Sequence, residues 1–349
     1  MPSHVGSPEE SARESRNTQE MPPFKHPLHV RCGDDILESL RVAGLPGTML
    51  KWCDVLCSGP TPAGLSPDAW YATRARFLAS AFDLPVQEIK TDLRQQDAAL
   101  AGEADHDAIV LWFEHDLFEQ SILWFLLDRF ARHGHRAPLY LVTTDSFPGH
   151  PRFIGLGQLN PEELLTLYKT VKPVSPDEIA LARTLWAAWS ASAPTPLESS
   201  LSADLSALPF APGAIVRHLE DLPWTSDGLS RTERAALTAI DRGAIDAGAA
   251  FLAVQAEEER PWMGDGMLFA ELDRLARLSR PLVQVTGGRT IDRETAVALT
   301  DTARAILRGD LDATDANPID RWIAGVHLTP TSLWRWNAQR QRVVPPAGH

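Results

Sequence analysis

The segment from residue 28 to residue 143 alternates short apolar runs with amphipathic stretches, and this alternation restricts the fold more than any other feature of the chain. Ala108–Phe113 predicts a buried strand, and the apolar residues of Leu117–His133 are spaced three or four apart, as in a helix. Further strands are predicted over Leu28–Cys32, Thr48–Cys53 and Leu139–Thr143. Because strands separated by helices pair in parallel, the sequence predicts a Rossmann-like three-layer α/β domain.

The domain organisation follows from where the strand signal fades. We predict a disordered tail over 1–25, the Rossmann-like domain over 26–150, a helical extension packed on it over 151–227, and a winged-helix-like domain over 228–349. The tail is rich in Ser, Glu and Pro and buries too little apolar surface to become ordered. Met21 directly precedes the first structured segment, so either Met1 or Met21 is the start.

The winged-helix prediction depends on the order of signals after residue 228. Ser230 and Glu233 have the spacing of a capping box, which predicts a helix that ends at Gly243. The following signals are helices over Ala249–Glu259 and Met267–Leu278, a strand over Pro281–Val285, a turn at Gly287-Gly288, and a helix over Thr295–Arg308.

The charge and composition of the chain limit which classes of binding partner we expect. The net charge of the 349 residues is −13, and the part before Gly228 contains 30 acidic against 18 basic residues. An acidic field repels phosphate backbones, which argues against a large nucleic-acid footprint on the N-terminal half. No stretch has the ~18 apolar residues that a membrane helix needs, and three cysteines make no disulfide framework. We therefore expect a cytoplasmic protein without a membrane partner.

Acidic residues follow each of the four predicted strands, at the edge where parallel sheets bind ligands. The residues at these positions are Gly33 and Asp34, then Asp54 and Gly59, then Glu114, His115 and Asp116, and finally Thr144 and Asp145. Carboxylates brought together resist ionising unless a cation joins them, and Mg²⁺ or Mn²⁺ prefers oxygen ligands. The sequence predicts a metal site at Asp34, Glu114 and Asp116.

Structural roles in helix capping and turn closure are an alternative explanation for the same acidic residues. Asp34 and Asp116 both precede helices and are equally well explained as N-caps, while Asp54 is suited to closing a turn before the Pro-rich loop. Both explanations remain open for the individual residues. For all four strand ends to be acidic through capping alone is the less probable case.

The chemistry predicted for this edge is metal-assisted hydrolysis or phosphoryl transfer on a small phosphorylated or nucleotide-like ligand. His115 and Asp116 are the predicted catalytic residues, with His115 as acid or base near neutral pH. The predicted substrate-binding residues are His29, Gly33, Asp34, Asp54, Gly59 and Gln120. The glycines would let a phosphate approach the backbone, and His29 and Gln120 would orient it.

A second hypothesis is a ligand-sensing regulator whose winged helix binds DNA. Arg274, Arg277 and Arg280 have the three-residue spacing of a recognition helix, although Glu271 and Asp273 weaken that case. A protein-interaction scaffold without any ligand is a third possibility.

Short motifs in a fixed order carry a family resemblance. They lie at 29–34 (HVRCGD), 52–54 (WCD), 112–116 (WFEHD), 155–159 (GLGQL), 217–219 (RHL), 228–233 (GLSRTE), 321–322 (RW) and 334–336 (WRW). This pattern resembles the bacterial family catalogued as domain of unknown function 1835. The resemblance covers nearly all of the chain after the tail, and it implies bacterial origin and a shared architecture without supplying a substrate.

Overall fold

A computed structural model of the chain describes residues 21–286 and 290–346. Within these residues the protein is a mixed α/β structure with thirteen α-helices. The helices are α1 (Leu37–Val42), α2 (Pro67–Phe82), α3 (Val86–Ala101), α4 (Leu117–His133), α5 (Pro161–Tyr168), α6 (Pro176–Trp189), α7 (Thr195–Ser200), α8 (Ala211–Leu219), α9 (Arg231–Asp241), α10 (Ala247–Glu257), α11 (Asp265–Ala276), α12 (Asp301–Leu307) and α13 (Ala313–Ala316).

The strands form one large sheet and several small ones. They are β1 (Leu28–Cys32), β2 (Thr48–Trp52), β3 (Gly59–Pro60), β4 (Ile109–Trp112), β5 (Leu139–Val142), β6 (Lys172–Pro173), β7 (Val283–Thr286), β8 (Ala296–Leu299), β9 (Arg321–Ala324), β10 (Val326–Leu328), β11 (Arg335–Asn337) and β12 (Arg342–Val344). The large sheet has the order β2-β1-β4-β5-β6. Its first four strands are parallel and β6 is antiparallel to β5.

Apolar residues fill both faces of the large sheet because its central strands are buried throughout. Val110 and Trp112 of β4 pack with residues of α1 and α5 on one face. Ile109 and Leu111 of the same strand pack on the other face with α4 and α6. The predicted strands and the helix over 117–133 are confirmed, and so is the parallel sheet.

The two halves of the chain share a core. The larger hydrophobic cluster runs from Leu28 to Val343. Strand β3 pairs in parallel with β9, with Gly59 opposite Ile323. Gly59 has φ +71°, and an ideal Cβ there would lie 2.5 Å from the Phe77 ring, so only glycine allows α2 to pack this closely.

The C-terminal half contains three helices, α9 to α11, followed by the β7–β8 hairpin and α12. The predicted capping box is confirmed, since Ser230 Oγ accepts from Glu233 N at 3.1 Å. The prediction of one helix over Thr295–Arg308 is wrong in its first part. Ala296–Leu299 pairs with β7 as a strand, because Val297 and Leu299 are buried while the two alanines between and before them are exposed.

Two predictions fall on other parts of the chain. The Gly287-Gly288 turn lies outside the described residues, as does the tail over residues 1–20. No helix among the described residues is both long enough and apolar enough to cross a membrane.

Candidate active site

An arginine inside the large sheet organises the candidate site. Arg31 is the fourth residue of β1 and is buried, on the sheet face that packs against α1 and α5. Its Nη2 lies 2.8 Å from Glu114 Oε1 and its Nη1 lies 2.8 Å from Glu119 Oε1. The same Nη2 lies 2.9 Å from Asp35 Oδ2. One guanidinium thus faces three carboxylates that come from three different elements or loops.

Glu114, Asp116 and Glu119, hereafter the acidic cluster, lie at the carboxyl end of β4. Each offers a carboxylate oxygen within 4.8 Å of the others, and all three residues are buried. Asp116 is the N-cap of α4, and its Oδ1 accepts from Glu119 N at 3.0 Å. The helix start therefore holds Asp116 and Glu119 side by side, as expected for residues three apart in a first turn. The capping explanation for Asp116 is confirmed, and it places the carboxylate in the cluster.

The acidic cluster carries more negative charge than Arg31 neutralises. Burial and the nearby Glu114 raise the pKa of Asp116 to about 8. Burial also raises the pKa of Glu114, against the opposing effect of Arg31, and raises that of Glu119 well above its usual value. A buried carboxylate with this deficit of positive charge must hold a proton or a bound cation.

The Gly155-Leu156-Gly157 loop covers the acidic cluster. Leu156 N donates to Glu114 Oε2, and an ideal Cβ at Gly155 would lie 3.1 Å from Glu114 Oε1. Glycine at position 155 therefore lets the backbone lie close to the carboxylate without a crowded Cβ. Gln120 Nε2 donates to the Glu114 backbone carbonyl at 2.5 Å, so this predicted residue positions Glu114.

His115 lies beside the acidic cluster and is only 3% exposed. Its ring contacts Phe153 and Phe210, with centroids 5.9 and 6.0 Å away. Burial and the positive charge of Arg260 lower its pKa, so the imidazole is neutral at pH 7. Its Nδ1 atom has no hydrogen-bond partner among the described residues. A neutral ring with an unpartnered nitrogen is suited to accepting a proton.

Several other polar atoms at this edge are buried and unpartnered within the described part of the chain. They are Glu119 Oε2, Thr143 Oγ1, which directly follows β5, and Arg260 Nη1, whose charge acts on His115. Because buried polar groups usually have partners, each of these three atoms is available to a ligand or ion.

Other predicted residues lie elsewhere. Asp34 is 73% exposed and pairs with Lys51 at 2.9 Å, so it does not join Glu114 and Asp116. Asp54 is buried against Arg74, whose Nη2 lies 2.6 Å from Asp54 Oδ1. Arg74 also donates to three backbone carbonyls nearby. Asp54 is therefore fully matched by one arginine.

The remaining predicted residues have structural surroundings. His29 is the second residue of β1, where its Nε2 lies 3.0 Å from Pro46 O and its Nδ1 accepts from Trp112 Nε1. This position is at the opposite end of the strand from the acidic cluster. Gly33 follows β1 with φ +68° and has open space around it. Gly59 packs against Phe77, as described above.

The three arginines of the DNA-binding hypothesis lie at the end of α11 or just after it. Arg274 pairs with Glu233 and Glu271, and Arg277 with Asp273. The backbone of Arg280 is held by Asn317. Two of the three charges are thus already engaged within the chain.

Sequence reasoning missed Arg31, Glu119 and Arg260. A charged residue inside an otherwise apolar strand was the available signal for Arg31, since a buried charge requires partners. Glu119 was detectable as the residue three positions after the Asp116 cap. No local sequence pattern indicates a role for Arg260, which lies in the C-terminal half of the chain. No protein-family model matches the chain, and no curated protein matches it either.

Proposed function

We propose that the protein is a metal-assisted hydrolase or phosphoryl-transfer enzyme that acts on a phosphorylated, nucleotide-like ligand at the carboxyl end of β4. The observation that carries this proposal is Glu119 Oε2, which is buried and has no hydrogen-bond partner among the described residues, within a group of three carboxylates whose oxygens lie within 4.8 Å of one another. A buried carboxylate oxygen without a donor is poorly accommodated by protein groups alone.

The donor set fits Mg²⁺ or Mn²⁺. These ions take carboxylate oxygens, and Glu114, Asp116 and Glu119 supply them from one short segment. When all three carboxyls are ionised, Arg31 cannot balance their charge, because it also pairs with Asp35. The three carboxylates would hold a divalent cation, which would balance their charge and give Glu119 Oε2 a partner.

The protein groups around the cluster have distinct roles in this proposal. A bound divalent ion would polarise a phosphoryl oxygen and the attacking water. The neutral His115 accepts a proton from water as the water oxygen bonds to phosphorus and the ester P–O bond breaks, and the leaving oxygen takes up a proton from solvent and departs as the alcohol. Arg260 and the Thr143 hydroxyl donate to phosphate oxygens, which would satisfy their unpartnered atoms.

Calorimetry with Mg²⁺ and Mn²⁺ tests the metal site directly. Wild-type protein binds one ion, and Glu119→Gln, which keeps the shape of the side chain, binds at least tenfold more weakly. Asp34→Asn is the matched control, because Asp34 is an exposed strand-end acid outside the cluster. Absence of binding to the wild type, or equal loss in the control, would sink the proposal.

Phosphate release from a panel of nucleoside phosphates and p-nitrophenyl phosphate tests the chemistry. We expect His115→Asn to lower kcat by about 100-fold while metal binding stays unchanged. Hydrolysis that does not depend on added metal, or that survives His115→Asn, contradicts the assignment.

A second function is favoured by one observation, the order α9-α10-α11-β7-β8-α12 in the C-terminal half. Three helices followed by a hairpin are the layout of a winged helix, and such folds bind DNA or protein. In this alternative the Rossmann-like half senses a ligand. DNA binding that weakens steeply with salt, and that falls on Arg277→Ala, would support it. Membership in the family of unknown function 1835 and the bacterial origin remain predictions.

A further inference from the structure

A cavity of about 790 Å³ lies on the opposite face of the sheet from Arg31, among α2, α3, α4 and α6. Its volume is that of a site for a small organic molecule. Leu65, one of its lining residues, is 37% exposed, so the cavity reaches solvent. None of Glu114, Asp116 and Glu119 lines it, so the cavity is separate from the acidic cluster.

Aromatic rings form one wall of this cavity. Phe125 stacks on Trp70 with an interplanar angle of 7°, and it meets Trp186 edge-on at a centroid distance of 5.0 Å. The Trp52 ring lies 5.8 Å from the same phenylalanine. All four rings line the cavity. Because Trp70 is only part-buried, some of its indole surface remains available to a planar ligand.

Two polar atoms on lining residues have no partner among the described residues. Trp52 is 4% exposed and its Nε1–H donates to nothing, and Ser190 Oγ is likewise buried without a partner. An indole N–H is only a donor, whereas a hydroxyl both donates and accepts. The cavity therefore offers one unused donor and one unused hydroxyl beside an aromatic wall.

The charged lining residues are already paired. Asp97 accepts from Tyr71 Oη at 2.6 Å and from Arg129 Nε at 2.5 Å, and Arg132 pairs with Asp128. Glu103 accepts from two backbone N–H groups. The carboxylates of Asp54, Asp97, Glu103 and Asp128 outnumber the two lining arginines, so the lining as a whole repels a phosphate.

From this combination we infer that the cavity binds an uncharged, planar heteroaromatic molecule of about nucleoside size. Its ring packs along Trp70 and Phe125, a ring acceptor takes the Trp52 N–H, and a second polar group meets Ser190. The ligand is a nucleoside-like molecule rather than a nucleotide, because the lining carries more carboxylates than arginines and each of these arginines already has a carboxylate partner. This site goes beyond the proposed enzymatic function and does not depend on it.

Calorimetry and tryptophan-fluorescence quenching test the inference with adenosine, guanosine and riboflavin, and with adenosine monophosphate as the charged counterpart. At least one uncharged compound binds with a Kd of about 100 µM or tighter. The monophosphate binds at least tenfold more weakly than adenosine. If no uncharged compound binds, or if the monophosphate binds equally well, the inference is wrong.

Variants locate the binding. Trp52→Phe keeps a ring and removes the donor, and it weakens binding about tenfold; Ser190→Ala weakens it about threefold. Trp70→Ala, at a part-buried position, removes the stacking wall and abolishes quenching. Trp322→Phe is the matched control, because Trp322 stacks on His327 and does not line the cavity. Unchanged affinity in both Trp52→Phe and Trp70→Ala overturns the assignment. We expect Asp116→Asn, a change in the separate acidic cluster, to bind the uncharged compounds like the wild type.

Discussion

Two buried acids in this protein behave in opposite ways. Asp116 lies in the acidic cluster, where burial and Glu114 raise its pKa to about 8. Glu233 in the C-terminal half is equally buried, yet Arg321 and Arg274 overcome the effect of burial and lower its pKa to about 2. The number of cations in contact, and not the burial, decides the direction of the shift.

The comparison separates a structural ion network from a candidate active site. Arg274 and Arg321 both contact Glu233, so the charges around it are balanced within the protein. In the acidic cluster a single arginine serves several carboxylates. A balanced network stabilises the fold by itself, whereas an unbalanced one is stable only with protons or an added cation.

The largest expected effect is that of Arg31→Met, which removes the arginine that pairs with Glu114 and Glu119. We expect a loss of about 3–5 kcal/mol in the free energy of unfolding, because buried carboxylates are left without their partner. Urea denaturation measures it, and Arg277→Met, an exposed arginine paired with Asp273, is the control without a measurable loss. If Arg31→Met lowers the free energy of unfolding as little as the control does, the charge of Arg31 does not stabilise the acidic cluster.

Glu233→Gln tests the balanced network. The amide keeps the capping position at Ser230 but removes the charge shared by Arg274 and Arg321, and we expect a loss of about 2–3 kcal/mol at pH 7. Since the folded pKa is about 2 and the ordinary value is 4.5, the difference from wild type persists above pH 4.5 and closes as the pH falls towards 2.

The control for this variant is Glu178→Gln, a buried capping-box glutamate with one lysine 3.5 Å away. We expect Glu178→Gln to lower the free energy of unfolding by less than about 1 kcal/mol. A pH-independent difference between Glu233→Gln and wild type would contradict the charge-based explanation.

Asp116→Asn tests the unbalanced cluster and has the opposite pH dependence. Asparagine still caps α4, so the helix start is kept. Because the folded pKa of Asp116 is raised to about 8, the free energy of unfolding of the wild type in EDTA falls relative to that of the variant as the pH rises from about 4 to 8. Unfolding curves across this pH range measure the difference in free energy of unfolding between the two proteins. A difference that does not change with pH would show that the pKa of Asp116 is not raised.

The pH dependence of metal affinity tests the same proton. If Asp116 must lose its proton to bind Mn²⁺, the affinity rises up to about tenfold per pH unit between pH 6 and 8 and then levels off. Calorimetry in buffers of different ionisation enthalpy detects at least one proton released per ion, because the pKa of Glu119 is raised as well. Binding that is independent of pH and releases no proton would place the ion elsewhere.

Local patterns in the sequence predicted the elements that depend on local order. The helix over Leu117–His133 and the cap at Ser230 were predicted within a residue, because apolar spacing and capping chemistry are local. The helix predicted over Thr295–Arg308 was wrong at its start, where pairing with β7 overrides the pattern of a short alanine-rich run.

The candidate site was predictable in part. Glu114, His115 and Asp116 follow the clearest buried strand, so their place at its carboxyl end was fixed by order along the chain. Asp34 and Asp54 occupy equivalent places after β1 and β2, but Lys51 and Arg74 pair with them. No local signal distinguishes these acids from those of the acidic cluster.

The sequence alone determined a parallel sheet with acids at the ends of its strands, because strand period and residue order are properties of the chain itself. Only the tertiary structure decided which acids meet one another. Arg31 reaches Glu114 across 83 positions, and Arg321 reaches Glu233 across 88. Charge balance is a sum over such distant neighbours, and so packing, not local sequence, separates the candidate active site from the structural ion pairs.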